Sequence, residues 1–394
     1  MPLHVLGITF DGGLAHPLTE KKYSGSQRRH LHYATQVEEY IIIARRYQNS
    51  VPASVRLTSN MQIYSTATLT QWRFTQEAYQ LGVELARFHP FNLISAANPH
   101  EAGIVGYLLK RRFNIPLNLH IKADIIDNPH FIKERRRNIL YNRLSKWLLT
   151  KADSIRVTTS REEQKFLNMP GLPKVYNIPA YVNIGSVLVK PTANWREKLL
   201  GRSHKHLVLS VGQLIEQNDP LTFLGAADHV VSVNPDTKFV WVGNGYLNQT
   251  VKNKIELLGL QDHVTILEKV PFKQIREIYQ AADVYVATPL YDGTGRALNE
   301  AAVAVTPLVS TRFAGAIDLI ENGVQGYRVP VQDARQIGNR INLLLETPEN
   351  LRPIGREAQK KSLALYKKKA IIAQYLKMWQ ETAGVDSLKS KTQK

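Results

Sequence analysis

The chain has 394 residues, 51 Lys and Arg against 33 Asp and Glu for a formal net charge of +18, and no cysteine. The absence of cysteine excludes disulfides, thiolate metal sites and cysteine nucleophiles, and it suits a reducing compartment. No stretch approaches the ~20 apolar residues that span a bilayer.

The positive charge is uneven. Residues 1–190 carry 25 basic and 13 acidic side chains and residues 352–394 carry 11 and 3, whereas 191–351 is nearly balanced at 15 and 17. Such an excess attracts an anionic surface, and ordinary solubility explains it equally well. No zinc-finger spacing and no RNP-like aromatic segment accompanies it, so nucleic acid is not expected as a partner. The expected location is cytoplasmic, with peripheral attachment at the inner face of the membrane as a variant.

From the N-terminus, Leu3–Thr9 reads as a buried strand. Met1–Phe10 is short and lacks a basic n-region, so it is not read as a signal peptide. Asp11-Gly12-Gly13 is a glycine loop after that strand. Tyr40–Ala44, Leu93–Ala96, Leu117–Ile121 and Ser154–Thr158 predict further strands, with helices over Gln71–Phe88 and Ala102–Arg112. Ile132–Leu149 predicts one basic helix whose stripe of Ile132, Ile139, Leu140, Leu144, Trp147 and Leu148 is expected to pack on the sheet. The competing partner for that helix is an anionic membrane.

The second half repeats the plan. Leu207–Val211, Lys238–Val242, Val264–Leu267 and Val284–Ala287 predict strands, with a helix over Tyr246–Leu258. Ile371–Thr382 predicts an amphipathic last helix. Alternating β and α predicts an α/β fold of two doubly wound Rossmann-like halves, with a ligand cleft at the carboxyl ends of the strands.

The most informative segment is Tyr291-Asp292-Gly293-Thr294-Gly295-Arg296-Ala297-Leu298-Asn299-Glu300. A strand precedes it and a helix begins within it, so the glycine turn offers N–H groups and a helix dipole to a phosphate. Asp292 lies before the helix and Glu300 within it, so the two acids flank one ligand from different sides. Carboxylates there suit sugar and ribose hydroxyls. The spacing alone fits a surface Asp and a solvated helical Glu just as well.

This segment resembles the retaining glycosyltransferases of family 4 (glycosyl transferases group 1), which have the GT-B fold. The resemblance extends through Val211-Gly212-Gln213-Leu214, Val240–Gly245, Ala281–Val286, Pro307–Ser310 and Gly315–Tyr327, and more weakly through Asn118–Asp127 and Lys151–Ile155. It implies an acceptor-side domain over 1–183, a hinge at 184–204 and a donor domain over 205–365. A helix at 366–385 would cross back to the first domain, and 386–394 would be a disordered tail.

By resemblance, Asp292 contacts the donor sugar and Glu300 the ribose diol. Gly293, Thr294 and Gly295 present N–H groups to sugar and phosphate, and Arg296 is a further phosphate ligand. Gly212 and Gly243 end strands where donor and backbone come close, and Val264–Lys269 reaches the base. Two cations that the family places after the first donor-domain strand are here Gln213 and Asn218. The family's histidine near the reacting sugar falls at Lys122, with His120 two residues earlier. On the acceptor side the expectations are Gly12 and Gly13, Arg28 and Arg29 of the Tyr23–His30 segment, and Asp124.

These residues predict a metal-independent retaining glycosyltransferase of polysaccharide or cell-envelope biosynthesis. It would use a nucleotide sugar as substrate, no cofactor, and a glycan or lipid-linked acceptor. The alternatives are a degenerate, non-catalytic GT-B protein that binds a partner or glycan, and another sugar-nucleotide enzyme such as an epimerase.

Overall fold

The computed structural model describes residues 1–15, 25–47, 51–67, 69–180 and 194–385. Tyr23 and Ser24, residues 184–193 of the expected hinge, and the tail at 386–394 lie outside the described residues.

The first half runs β1 (His4–Thr9), α1 (Gly25–Ala34), β2 (Glu39–Ala44), β3 (Ser54–Thr58), β4 (Met61–Ser65), α2 (Gln71–Phe88), β5 (Leu93–Ala96), α3 (Glu101–Phe113) and β6 (Leu117–His120). It continues with α4 (Pro129–Glu134), α5 (Arg137–Leu149), β7 (Ser154–Val157), α6 (Ser160–Leu167) and β8 (Lys174–Asn177). Its sheet has the order β3-β4-β2-β1-β5-β6-β7-β8, and every pair is parallel except β3 with β4. The second half contains α7 (Trp195–Leu200), β9 (His206–Val211), α8 (Pro220–Val231), β10 (Thr237–Val242), α9 (Asn248–Leu257), β11 (Val264–Leu267), α10 (Phe272–Ala281) and β12 (Val284–Ala287). Then come α11 (Arg296–Val303), β13 (Leu308–Thr311), α12 (Ala314–Leu319), β14 (Gly326–Val329), α13 (Ala334–Leu345), α14 (Pro348–Leu365) and α15 (Lys368–Ala383). Its sheet, β11-β10-β9-β12-β13-β14, is parallel throughout.

Strands β1, β5, β7, β12 and β13 have almost every residue buried, because helices cover both faces of each sheet. In each sheet the winding direction reverses beside its first strand, between β1 and β5 and between β9 and β12. Loops diverge at these points and open a crevice at the carboxyl ends. The two crevices face each other, which is the GT-B arrangement of two Rossmann-like domains. Of the first-half strands that the sequence did not signal, β3 and β8 are the two edges and β4 lies next to β3, and partial exposure there replaces the apolar run.

The halves touch directly. The Ser160 N–H donates to Asp318 Oδ2 at 3.0 Å, Arg161 Nη1 donates to the Arg312 carbonyl at 3.1 Å, and the Phe131 and Tyr291 rings meet edge-on at 5.7 Å. The last helix, α15, packs on α1, β5 and β6 of the first half. There Tyr375 stacks on Tyr33 at 4.2 Å, Trp379 is fully buried, and Thr382 Oγ1 lies 2.7 Å from Ser154 Oγ.

The expected single helix over Ile132–Leu149 is not formed. Arg135 takes extended dihedrals, φ −149° and ψ 139°, and divides it into α4 and α5. The expected stripe does not all pack on the sheet either. Asn138, Asn142, Ser145, Leu148 and Leu149 turn inward, while Ile139, Leu140 and Trp147 are 47%, 66% and 44% exposed. Asn142 satisfies itself on the Asp127 N–H and carboxylate, both at 2.8 Å, so polar residues can hold this interface.

Candidate functional site

After β12 the chain crosses the cleft as Thr288–Gly295 and enters α11 at Arg296. Gly295 has φ +67°, and a Cβ there would lie 2.7 Å from the Phe313 ring, so this position needs glycine. Buried Asn299 Nδ2 donates to the Thr294 and Gly295 carbonyls, each at 2.9 Å, and locks the turn. The turn is also pressed against the other half. A Cβ on Gly293 would fall 1.9 Å from the Lys122 carbonyl oxygen, and one on Gly315 would fall 2.4 Å from the Thr294 carbonyl oxygen. Asp292 Oδ1 accepts the Gly293 N–H at 2.7 Å. The Thr294 hydroxyl is buried without a hydrogen-bond partner and lines the cleft.

A cavity of about 320 Å³ fills the cleft beside this turn. Of the expected residues, Asp292, Thr294, Gly295 and Arg296 line it from the second half, and Arg29, His120 and Lys122 from the first. His120 is buried, with Nε2 2.7 Å from Asn118 Oδ1 and 3.2 Å from Ser95 Oγ. Burial, and then the Arg156 and Lys122 charges, hold its pKa well below the usual value, so it is neutral at pH 7. Burial likewise raises the pKa of the Asp292 carboxyl, against the Gly293 N–H and the Arg296 charge.

Lys122 is lowered from 10.5 to about 7 by enclosure between the two halves, then by Arg29 and Arg156, with Asp11 acting the other way. Its side chain still meets cleft water, which screens the effect on stability. A lysine with a lowered folded pKa penalises the fold fully below that value, and the penalty disappears as pH rises past the unfolded pKa. Lys122→Met is therefore expected to stabilise the protein more at pH 6 than at pH 10.5, as thermal denaturation at the two pH values will show. An equal change at both would refute the lowered pKa.

Glu300 lies one turn into α11 and lines none of the pockets found among the described residues. Its Oε2 accepts from the Tyr279 hydroxyl at 3.2 Å, and burial raises its pKa against the pull of Arg296, Tyr279 and Arg276. Gly212 and Gly243 meet each other: a Cβ on Gly243, φ +144°, would lie 1.9 Å from the Gly212 carbonyl oxygen, which also accepts from Trp241 Nε1 at 2.8 Å. Gly243 opens onto a separate shallow recess formed with Glu268, Lys269, Val270 and Ile275. Asn218 lines a small pocket with Asp292 and Gly295 and donates to the Gln213 carbonyl at 2.8 Å, while Gln213 itself is exposed.

Four acceptor-side expectations are not brought into the cavity. Asp124 is buried against Lys165 at 3.1 Å and Asn128 at 3.2 Å, where it ties its loop to α6. Gly12 leaves room for the Tyr47 side chain, which a Cβ would approach to 2.5 Å. The Gly13 N–H donates to Asp11 Oδ1 at 3.1 Å, and Arg28 is exposed on α1. In the Asp11-Gly12-Gly13 loop it is Asp11 that reaches the cavity, joined to Ser26 Oγ at 2.5 Å and Arg29 Nη2 at 3.3 Å. Sequence reasoning also passed over Arg156, His30, Tyr40 and Tyr375. Arg156 left a legible signal, a charge inside the apolar run Ser154–Val157.

The family model for "Glycosyl transferases group 1" matches residues 191–361. That match places the likeness to glycosyl transferases group 1 in the second half of the chain. The chain is 30% identical over 171 residues to spore coat protein SA of Bacillus subtilis, covering 41% of this chain and 45% of that protein. Over 246 residues the chain is 26% identical to the putative glycosyltransferase EpsD of the same organism, covering 59% and 63%. It thus spans less than two thirds of these relatives' lengths. Among solved structures, sucrose-phosphate synthase from Thermosynechococcus elongatus aligns at a TM-score of 0.81 with 18% identity, covering 96% of this chain and 98% of that one. Anabaena HepE in complex with UDP-glucose aligns at 0.72 with 19% identity, covering 96% and 100%. At these identities the likeness is one of fold.

Proposed function

We propose that this protein is a group 1 glycosyltransferase that moves a sugar from a nucleoside diphosphate donor to a hydroxyl of a glycan or lipid-linked acceptor, with retention at the anomeric carbon. The observation that carries the reading is the locked Asp292–Gly295 turn, which sets the N-terminus of α11 and Arg296 on the wall of a cavity shared by both halves. In this reading the base occupies the recess at Gly243 and Val270, and the ribose diol meets Glu300. The diphosphate lies on Thr294, Gly295 and Arg296, and the sugar faces Asp292. Charge developing on the leaving diphosphate is met by oriented N–H groups and a cation, and reaction follows from positioning, with no covalent nucleophile. The nucleotide sugar is a substrate, and the family resemblance implies neither metal nor cofactor.

Gln213 and Asn218 supply no charge, and each lost charged hydrogen bond weakens a diphosphate site by about 1.5–3 kcal/mol. Arg296 on the cavity wall, at the N-terminus of α11, offsets part of that loss, which favours a catalytic over a non-catalytic protein. Ligand-observed NMR against UDP, GDP, ADP and their sugars tests the reading, with the UDP series first because HepE was solved with UDP-glucose. Binding of one nucleotide supports it, and silence across the panel returns the choice to a non-catalytic protein.

The outward face of α5 supports contact with an anionic membrane. Exposed Ile139, Leu140 and Trp147 lie among exposed Arg136, Arg137, Arg143 and Lys146. The protein is expected to sediment with vesicles containing phosphatidylserine and to be released by Leu140→Asp. Equal sedimentation of the two proteins, or none by the parent, would remove this contact.

A further inference from the structure

Arg156 is a buried cation without a counter-ion. It lies on β7 opposite His120 of β6, is 4% exposed, and lines the cavity. Nη2 donates to the Pro179 carbonyl at 2.9 Å, and the guanidinium carbon sits 5.0 Å from the centre of the Tyr375 ring. Nε is buried with no hydrogen-bond partner, and no carboxylate among the described residues pairs with the group. A charge removed from water and left unpaired is strongly unfavourable, so a fold that keeps one is built for an opposite charge from elsewhere.

Two more cations line the same cavity. Lys122 has no ion-pair partner among the described residues, and Arg29 shares Asp11 at 3.3 Å. The first-half wall thus holds three positive groups against one negative. Around them Ser95, His120, Tyr40 and Tyr375 offer the neutral hydrogen-bonding and ring surfaces that a sugar needs. The α11 N-terminus and Arg296 belong to the second half, so the donor diphosphate of the proposed function has a cation and N–H groups of its own.

We propose that the acceptor carries an anionic group, a phosphate or a carboxylate on its sugar, and that Arg156 holds this group in the first-half wall together with Lys122 and Arg29. The assignment rests on the glycosyltransferase reading above. It makes the acceptor pocket select for charge, while Asp292 and Glu300 select the donor.

Calorimetry on the full chain, with and without saturating nucleotide, would compare glucose, glucose 6-phosphate, glucuronate and inorganic phosphate. One anionic sugar is expected to bind at least about tenfold more tightly than glucose, as a charge-assisted pair requires. The better of phosphate and carboxylate identifies the group. Arg156→Gln and Lys122→Met are expected to remove the preference and leave nucleotide affinity unchanged. Equal affinity for glucose and the anionic sugars would overturn the proposal. So would an Arg156→Gln protein that loses nucleotide affinity as much as anion affinity, since the cation would then serve the donor. If Arg156→Gln gives no cooperative melt, Lys122→Met decides, because that side chain meets cleft water. Failure of every nucleotide to bind would defeat the glycosyltransferase reading, and the titrations without nucleotide would still decide the anion site.

Discussion

Alanine at Gly293 is expected to lower turnover of a sugar nucleotide by about 10²-fold or more, the scale on which a misplacement of ~1 Å acts in catalysis. The added Cβ would lie 1.9 Å from the Lys122 carbonyl oxygen and 2.8 Å from its carbon, both backbone atoms that no rotamer change can move aside. On the other side, Gly315 closes on the Gly293 and Thr294 carbonyls, so the turn cannot retreat into its own half. The remaining response is for the halves to separate. That opens the cavity between Asp292 and Lys122 while leaving the core of each sheet intact. Slow hydrolysis of the sugar nucleotide gives the rate without knowledge of the acceptor. Small-angle scattering should show a larger radius of gyration, and the melting temperature should stay near that of the parent. Parental turnover with unchanged scattering would mean that the tight approach at Lys122 is not the working conformation.

Glu300→Ala is expected to weaken nucleotide binding by about 10- to 10²-fold, the loss of one or two hydrogen bonds to a carboxylate. Tyr279 already donates to Oε2 and so orients the carboxylate. Tyr279→Phe should therefore weaken binding less than Glu300→Ala. The raised pKa of Glu300 adds a sign: the accepting carboxylate is lost as pH falls, and earlier in that descent than for an exposed glutamate. Calorimetric titration at several pH values checks both points. Nucleotide affinity indifferent to Glu300→Ala would place the ribose elsewhere.

The donor turn and the strands on either side of the switch points were legible in the sequence. Parallel strands covered on both faces are largely apolar, so β5 and β12 stand out as runs. Glycines in the 293–295 turn mark a backbone that needs a left-handed residue and close approach. Edge strands β3 and β8 carry no such run, because one side of the edge meets water. The basic helix was misread because helical periodicity continues across Arg135, where the backbone does not. Nothing in the local pattern announced that asparagines 138 and 142 would form the inward face.

Asp124 and Gly12 show a second limit. A loop acid and a glycine pair carry the same letters whether they face substrate or a neighbouring lysine or tyrosine, and Lys165 and Tyr47 are distant in the chain. Arg156 is the converse case. Its charge inside a buried strand was visible, but its meaning depends on which groups surround it.

The sequence by itself determined the alternation of the central strands with helices, the parallel core of each sheet, and the placing of Asp292 and Glu300 around a helix N-terminus. Each of these follows from local propensity, apolar periodicity and turn chemistry over a few residues. Only the tertiary structure decided that Arg29, Lys122, Arg156 and Arg296 share one cavity, and that Tyr375 from the last helix forms part of its wall. Those side chains come from α1, the loop after β6, β7, α11 and α15, and their convergence is set by sheet order, by the crossing of α15 and by the backbone contact of Gly293 with Lys122.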